Sequence, residues 1–219
     1  MGFSNYYKSE IERYGGSKKY ILAKAKEKRA LLNRVIQYSD GGKILEAGSG
    51  SSSNSIYLSN KGYDVVAVDN DKKILSLAKN LSESFKNKPK FIKKEIKNFN
   101  GSYSVIFSHG VLEHFKDKEI IELINKELEL GEHIIFSVPS DFFKKAQAIN
   151  GDERFMSVKK WRDLISKSNG KIVEEFSYFY DPDNLKLFLL KFIFKFTGGI
   201  LPIKKPYIGF VVKKNVYSA

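Results

Sequence analysis

Apolar and polar positions change rhythm twice along the chain. Over the first forty residues, Ile21, Leu22, Ala25, Leu31, Leu32, Val35 and Ile36 fall near the spacing of one helical face, and "YGGS" around Gly15 and Gly16 separates off an earlier short helix. Short β-branched runs then begin ("KILEA", "DVVAVD", "KFIKKEI", "SVIFSH", "HIIFSVP"), alternating with amphipathic stretches such as "DKKILSLAKNLSESF" and "DKEIIELINKELEL". Strands alternating with helices predict right-handed β-α-β crossovers and a parallel sheet covered on both faces. Gly62, Pro89 and Gly131 punctuate the joins before the second, third and fifth strands. After Pro139 the pattern loosens into "SDFFKKAQAINGDERFM". Ser157 then stands where a helix N-cap belongs, before "VKKWRDLISKS". "KIVEEFSYFY" and "YIGFVVKK" read as the last two of seven strands. The organisation expected is an N-terminal helical cap over 1–40 and an α/β domain over 41–219, with insertions at 140–156 and 181–206.

The first strand runs into "EAGSGSSSNS", a glycine turn at a strand-to-helix junction, where open α/β sheets bind ligands. Gly48 and Gly50 permit a sharp turn and close backbone approach. Position 53, where a dinucleotide-binding turn has its third glycine, is Ser53, and Glu46 puts a negative charge where a pyrophosphate would be unwelcome. Asp69, at the end of the second strand, has the chemistry to accept hydrogen bonds from both hydroxyls of a ribose. An adenosyl group at one end and an ammonium at the other satisfies both acids. S-adenosylmethionine has that constitution, with Glu46 orienting its amine.

These residues resemble class I S-adenosylmethionine-dependent methyltransferases of the small-molecule branch. "ILEAGSGSS" is similar to the family's first motif, "VVAVDND" to its ribose-binding strand end, "SYSVIFSHGVLEHF" to its fourth-strand motif and "HIIFSVPS" to its fifth strand. The resemblance implies a Rossmann-like, mostly parallel seven-stranded sheet of order 3-2-1-4-5-7-6, with strand 7 antiparallel. It implies S-adenosylmethionine as cofactor and S-adenosylhomocysteine as product. Cofactor contacts are then expected from Glu46, Gly48, Ser49, Gly50, Ser51, Asp69 and Asn70. Glu95 and Ile96 fall in the adenine-contacting region, although the family often has Asp in place of Glu95. Ser108 and His109 fall beside the methyl group.

Methyl transfer from a sulfonium rests largely on holding the nucleophile in line, and a base is needed only for an acceptor that must lose a proton. His109 is the candidate base or orienter. Glu113 is placed to fix the tautomer of His114, and His114 and Arg154 are candidate substrate contacts, with Arg154 alternatively paired to Asp152 or Glu153. Tyr6, Tyr7, Tyr14 and Tyr20 are candidates for a lid over the cofactor, against simple packing. The spacing of His109, Glu113 and His114 fits no metal motif.

Composition adjusts this picture in three ways. The 219 residues, 42% hydrophobic, suffice for one sizeable core, and the absence of cysteine excludes disulfides and thiolate metal sites. No apolar stretch of signal-peptide length opens the chain, Tyr6 occupies the position where a myristoylation signal needs Ser or Thr, and no run is long enough to cross a bilayer, so a cytoplasmic location is expected. The net charge of +13 favours an anionic partner, but the lysines are spread along the chain without a basic arm. Nucleic acid thus enters as an alternative acceptor, without an "NPPY"-like motif to support it. "LKLFLLKFIFKF" at 185–196, apolar but carrying Lys186, Lys191 and Lys195, reads as a helix packed at the sheet edge, or as a peripheral membrane contact for a lipid-like acceptor. A nicotinamide oxidoreductase and a non-catalytic membrane-surface protein are the readings outside methylation. Oligomeric state is left open.

Overall fold

The structure, a computed structural model, describes residues 3–143, 151–178 and 206–215. Three helices, α1 (Phe3–Arg13), α2 (Ser17–Glu27) and α3 (Arg29–Ser39), precede the sheet. Gly15 and Gly16, both with positive φ, make the α1–α2 break that "YGGS" predicts, whereas the separation of α2 from α3 at Lys28 has no glycine or proline to announce it. The strands are β1 (Ile44–Ala47), β2 (Val65–Asp69), β3 (Lys90–Lys93), β4 (Tyr103–His109), β5 (Gly131–Pro139), β6 (Gly170–Tyr178) and β7 (Tyr207–Lys214). Between them lie α4 (Ser53–Asn60), α5 (Lys72–Ser82), α6 (Asp117–Leu130) and α7 (Val158–Ser166).

The seven strands form one sheet of order β3-β2-β1-β4-β5-β7-β6, parallel except for β7, which runs antiparallel to both β5 and β6. That is the order the family resemblance implies. Burial explains the composition of each strand. All four residues of β1 are buried, as a central strand covered on both faces requires, while β6 at the edge alternates between exposed and half-buried positions along most of its length. On one face, α6 and α7 pack Ile120, Ile124, Trp161 and Leu164 against Ile106, Phe136 and Phe210. On the other, α3 lays Leu31, Leu32 and Val35 over Ile44, Val105 and Ile135. Ser157 caps α7 as its sequence position suggests, its hydroxyl accepting from the Lys160 amide at 3.2 Å.

Strand order reverses direction between β1 and β4, which opens a crevice at the carboxyl ends of β1, β2 and β4. The α1 and α2 helices lie against α5 and α4 and close one side of it. Among the described residues no helix is long and apolar enough to cross a membrane. The 185–196 segment and its three lysines lie outside the described residues, as do 144–150 of the first insertion and 181–205 of the second.

Candidate functional site

A cavity of about 620 Å³ occupies that crevice. It is within the range that holds cofactor-sized ligands. Its floor is the glycine turn, where Gly48 and Gly50 adopt φ of 61° and 51°, the left-handed region that penalises any side chain. Space is as restrictive as torsion. A Cβ on Gly48 would stand 2.7 Å from a Val111 methyl carbon, and one on Gly50 would stand 2.4 Å from the Tyr7 hydroxyl.

Two acids sit at neighbouring strand tips. Glu46, 2% exposed, accepts from Asn54 Nδ2 at 2.7 Å and from the Ser55 amide and hydroxyl at 3.1 and 2.5 Å, so the first turn of α4 holds both its oxygens in place. Burial raises its pKa, against the pull of those hydrogen bonds and of Lys28. A bound cation would shift it back toward the ionised form. Asp69 Oδ2 accepts from the Gly50 amide at 2.9 Å and Oδ1 from the Asp71 amide at 2.9 Å. Through that bond the second strand fixes the shape of the first turn.

His109 ends β4. Its Nδ1 lies 2.8 Å from Ser137 Oγ and 3.2 Å from the Tyr178 hydroxyl, which are themselves 2.9 Å apart. Ser137 of β5 and Tyr178 of β6 hold the ring by its Nδ1 edge, and the residue lines the cavity. Burial, then Lys28 and Lys24, hold its pKa well below the usual range, so the imidazole is neutral at physiological pH. Glu113, 2% exposed and in the short 3₁₀ turn Leu112–His114, also lines the cavity. Its Oε2 has no hydrogen-bond partner among the described residues, and burial, reinforced by Glu153 and Asp152, pushes its pKa up to about 8.

Of the residues singled out from the sequence, Glu46, Gly48, Ser49, Gly50, Ser51, Asp69, Asn70, Glu95, Ile96, His109 and His114 all line this one cavity. Ser108 does not: it is buried inside β4. Arg154 does not either, and the expected substrate contact gives way to a structural role. Its guanidinium binds Asp117 at 2.5 Å and the Phe115 carbonyl at 2.6 Å, pinning the incoming segment to the start of α6. The Glu113–His114 contact is replaced by His114 Nδ1 to Asp152 Oδ1 at 2.9 Å. His114, Asp152 and Glu153 bring ligand-type atoms within 4.8 Å of one another. Spacing within 109–114 could not show that, because two of the three come from a distant loop; such exposed acidic groups are common without an ion. Tyr6, Tyr7 and Tyr20 line the cavity, with the Tyr20 hydroxyl 2.9 Å from Ser51 Oγ, whereas Tyr14 turns to Glu27. Lys24, Lys28 and Tyr207 reach the cavity without a sequence motif to mark them.

The family model of the tellurite resistance protein TehB matches residues 11–133, more than half of the chain. The chain belongs to the TehB family. The matched segment of this TehB-family chain contains the glycine turn, both acids, His109 and Glu113, and stops inside β5. No curated protein matches the chain. Among solved structures, the chain is similar to magnesium protoporphyrin IX methyltransferase of Synechocystis PCC 6803 with bound SAM, at 14% identity and TM-score 0.62, over 89% of this chain and 81% of that one. It is similar to an S-adenosylmethionine-dependent methyltransferase from Clostridium acetobutylicum at 13% identity and TM-score 0.64, over 88% and 92%. It is also similar to the CcbJ methyltransferase from Streptomyces caelestis at 13% identity and TM-score 0.65, over 87% and 90%. At these identities the likeness establishes the fold, which is that of class I methyltransferases.

Proposed function

We propose that the protein is an S-adenosylmethionine-dependent methyltransferase acting on a small-molecule acceptor. The observation that carries this reading is the pair Glu46 and Asp69, held at adjacent strand tips on either side of a glycine turn too tight for any Cβ. In this reading Asp69 takes the ribose hydroxyls, Glu46 the amine, and the backbone of Gly48 to Ser51 packs against the body of the donor. Asn70, Glu95 and Ile96 flank the nucleoside end. The donor supplies an activated methyl group, whose carbon–sulfur bond breaks with its electron pair left on sulfur. The chain's own part is to orient and desolvate the acceptor, and to take a proton from it where the nucleophile carries one.

In this reading two groups are available to take that proton. His109 is neutral with Nδ1 tethered, and Glu113 has an unpaired oxygen. Phe143, Phe155 and Tyr207 provide apolar walls at the same end. Asp152 and Glu153 make this mouth acidic despite the chain's +13, which favours a small neutral or cationic acceptor over the phosphate backbone of RNA. RNA remains the second acceptor class to assay because of the overall charge; a gel shift that weakens steeply with salt would support it. The family's name makes tellurite a natural probe acceptor.

Calorimetry with S-adenosylhomocysteine tests the donor assignment. The wild-type chain should bind it and not NAD. Asp69→Ala should weaken binding at least about tenfold, the scale of a hydrogen bond to a charged group. Glu46→Gln should weaken it while leaving the fold intact. Unchanged affinity in both variants would remove the acids from the site.

A further inference from the structure

His114, Asp152 and Glu153 form the acidic mouth of the cavity, and the fold holds them there by more than proximity. The loop that carries the two acids is tied to the 3₁₀ turn that carries the histidine. The Arg154 amide donates to the Glu113 carbonyl at 3.1 Å, and the Arg154 side chain binds the Phe115 carbonyl and Asp117. His114 Nδ1 and Asp152 Oδ1 stand 2.9 Å apart, and ligand-type atoms of all three residues lie within 4.8 Å of one another. Atoms that share one ion at about 2.1 Å lie about 3.0–3.4 Å from each other. The histidine and Asp152 are close to that separation, and Glu153 needs only a small side-chain movement to join them.

Glu113 sets this cluster apart from acids elsewhere on the surface. Its Oε2 is buried and has no hydrogen-bond partner among the described residues, and the residue lines the same cavity. Glu153 and Asp152 are near enough to oppose its ionisation. A buried carboxyl oxygen without a donor opposes folding, and two further acids beside it add repulsion. A divalent cation relieves both. We propose that His114, Asp152 and Glu153 bind one divalent first-row transition ion, with the Glu113 carboxyl as a further oxygen ligand, on the ion itself or on a water it holds. One imidazole among carboxylates suits Mn²⁺, Fe²⁺ or Zn²⁺ better than Mg²⁺ or Ca²⁺, which are bound through oxygen alone. So few protein ligands leave a coordination position for water or for an oxygen atom of a molecule in the cavity. The site stands apart from the donor assignment, since neither Glu46 nor Asp69 takes part in it.

Titrating the chelator-stripped full chain with Mn²⁺, and following loss of the free ion's electron paramagnetic resonance signal, tests this without any turnover. The wild-type chain should bind one ion. Glu113→Gln should weaken binding about tenfold, and Asp152→Asn and His114→Gln by at least as much. The Asp152 side chain is 59% exposed, so its variant keeps the core intact and a lost ion there is not lost folding. Glu83→Gln, which removes an exposed acid that does not line the cavity, should bind as wild type does. Zn²⁺ should displace Mn²⁺ at lower concentration than Mg²⁺ does. A wild-type chain that leaves Mn²⁺ free overturns the proposal. So does binding that survives both Asp152→Asn and His114→Gln, or that falls equally in Glu83→Gln. Mg²⁺ competing as well as Zn²⁺ overturns it too, because the imidazole would then take no part.

Discussion

Single residues decide the geometry of the turn, and glycine substitutions measure it. Gly48→Ala forces a left-handed backbone on a residue with Cβ and drives that carbon into Val111, a stiff β-branched neighbour. Gly62 also has positive φ, at 100°, but nothing lies within 4 Å of a Cβ there. Both variants should lose about 1–2 kcal/mol of stability from the backbone term alone. Only Gly48→Ala should also lose S-adenosylhomocysteine affinity; equal binding by the two would mean the turn does not touch the ligand. At this scale the sequence was informative where chemistry and position coincide. Glu46, the two glycines and Asp69 are legible because each is unusual for its place at a strand end. Lys24 and Tyr207 are not, because a lysine on a helix and a tyrosine opening a strand are ordinary until the fold brings them to the cavity. Arg154 misleads for the converse reason: a charged loop residue looks free until Asp117 is folded beside it.

Elements carry the burial, and one buried charge gives it a pH signature. Glu127 of α6 is 2% exposed, and burial pushes its pKa up to about 8. Because the folded value exceeds the unfolded one, its contribution to stability is complete below the unfolded carboxylate range and is lost as pH rises through about 8. Glu127→Gln should therefore raise the melting temperature over wild type by clearly more at pH 9 than at pH 5. An equal gap at the two pH values would mean the carboxyl is solvated. The periodicity that identified α6 as a helix is visible in the sequence, while Glu127 on its buried face is a breach of that pattern. Strand identities were legible throughout, since β-branched runs between glycine and proline punctuation have few alternatives. Their ends were less so: β3 closes at Lys93 although "KFIKKEI" runs on, because an edge strand has only one neighbour to hold its last residues. The break at Lys28 is set by packing of α2 on α4 and α3 on the sheet, information no local window contains.

At the scale of the molecule, alternation of strands and helices predicts a parallel sheet, while the order β3-β2-β1-β4-β5-β7-β6 is what the family resemblance implies, and it places the direction reversal beside β1. Everything assigned to the site depends on that placement, which brings residues from the N-terminal helices, three strand tips and the 151–157 loop to one cavity. The net charge of +13 describes the surface, not this cavity, whose acids suit a cationic donor. Determining a crystal structure with S-adenosylhomocysteine bound tests this account most directly. It predicts the ribose hydroxyls within hydrogen-bond reach of Asp69 and the ligand's amine beside Glu46. A ligand bound elsewhere, or reversed so that its adenosine meets Glu46, would contradict it.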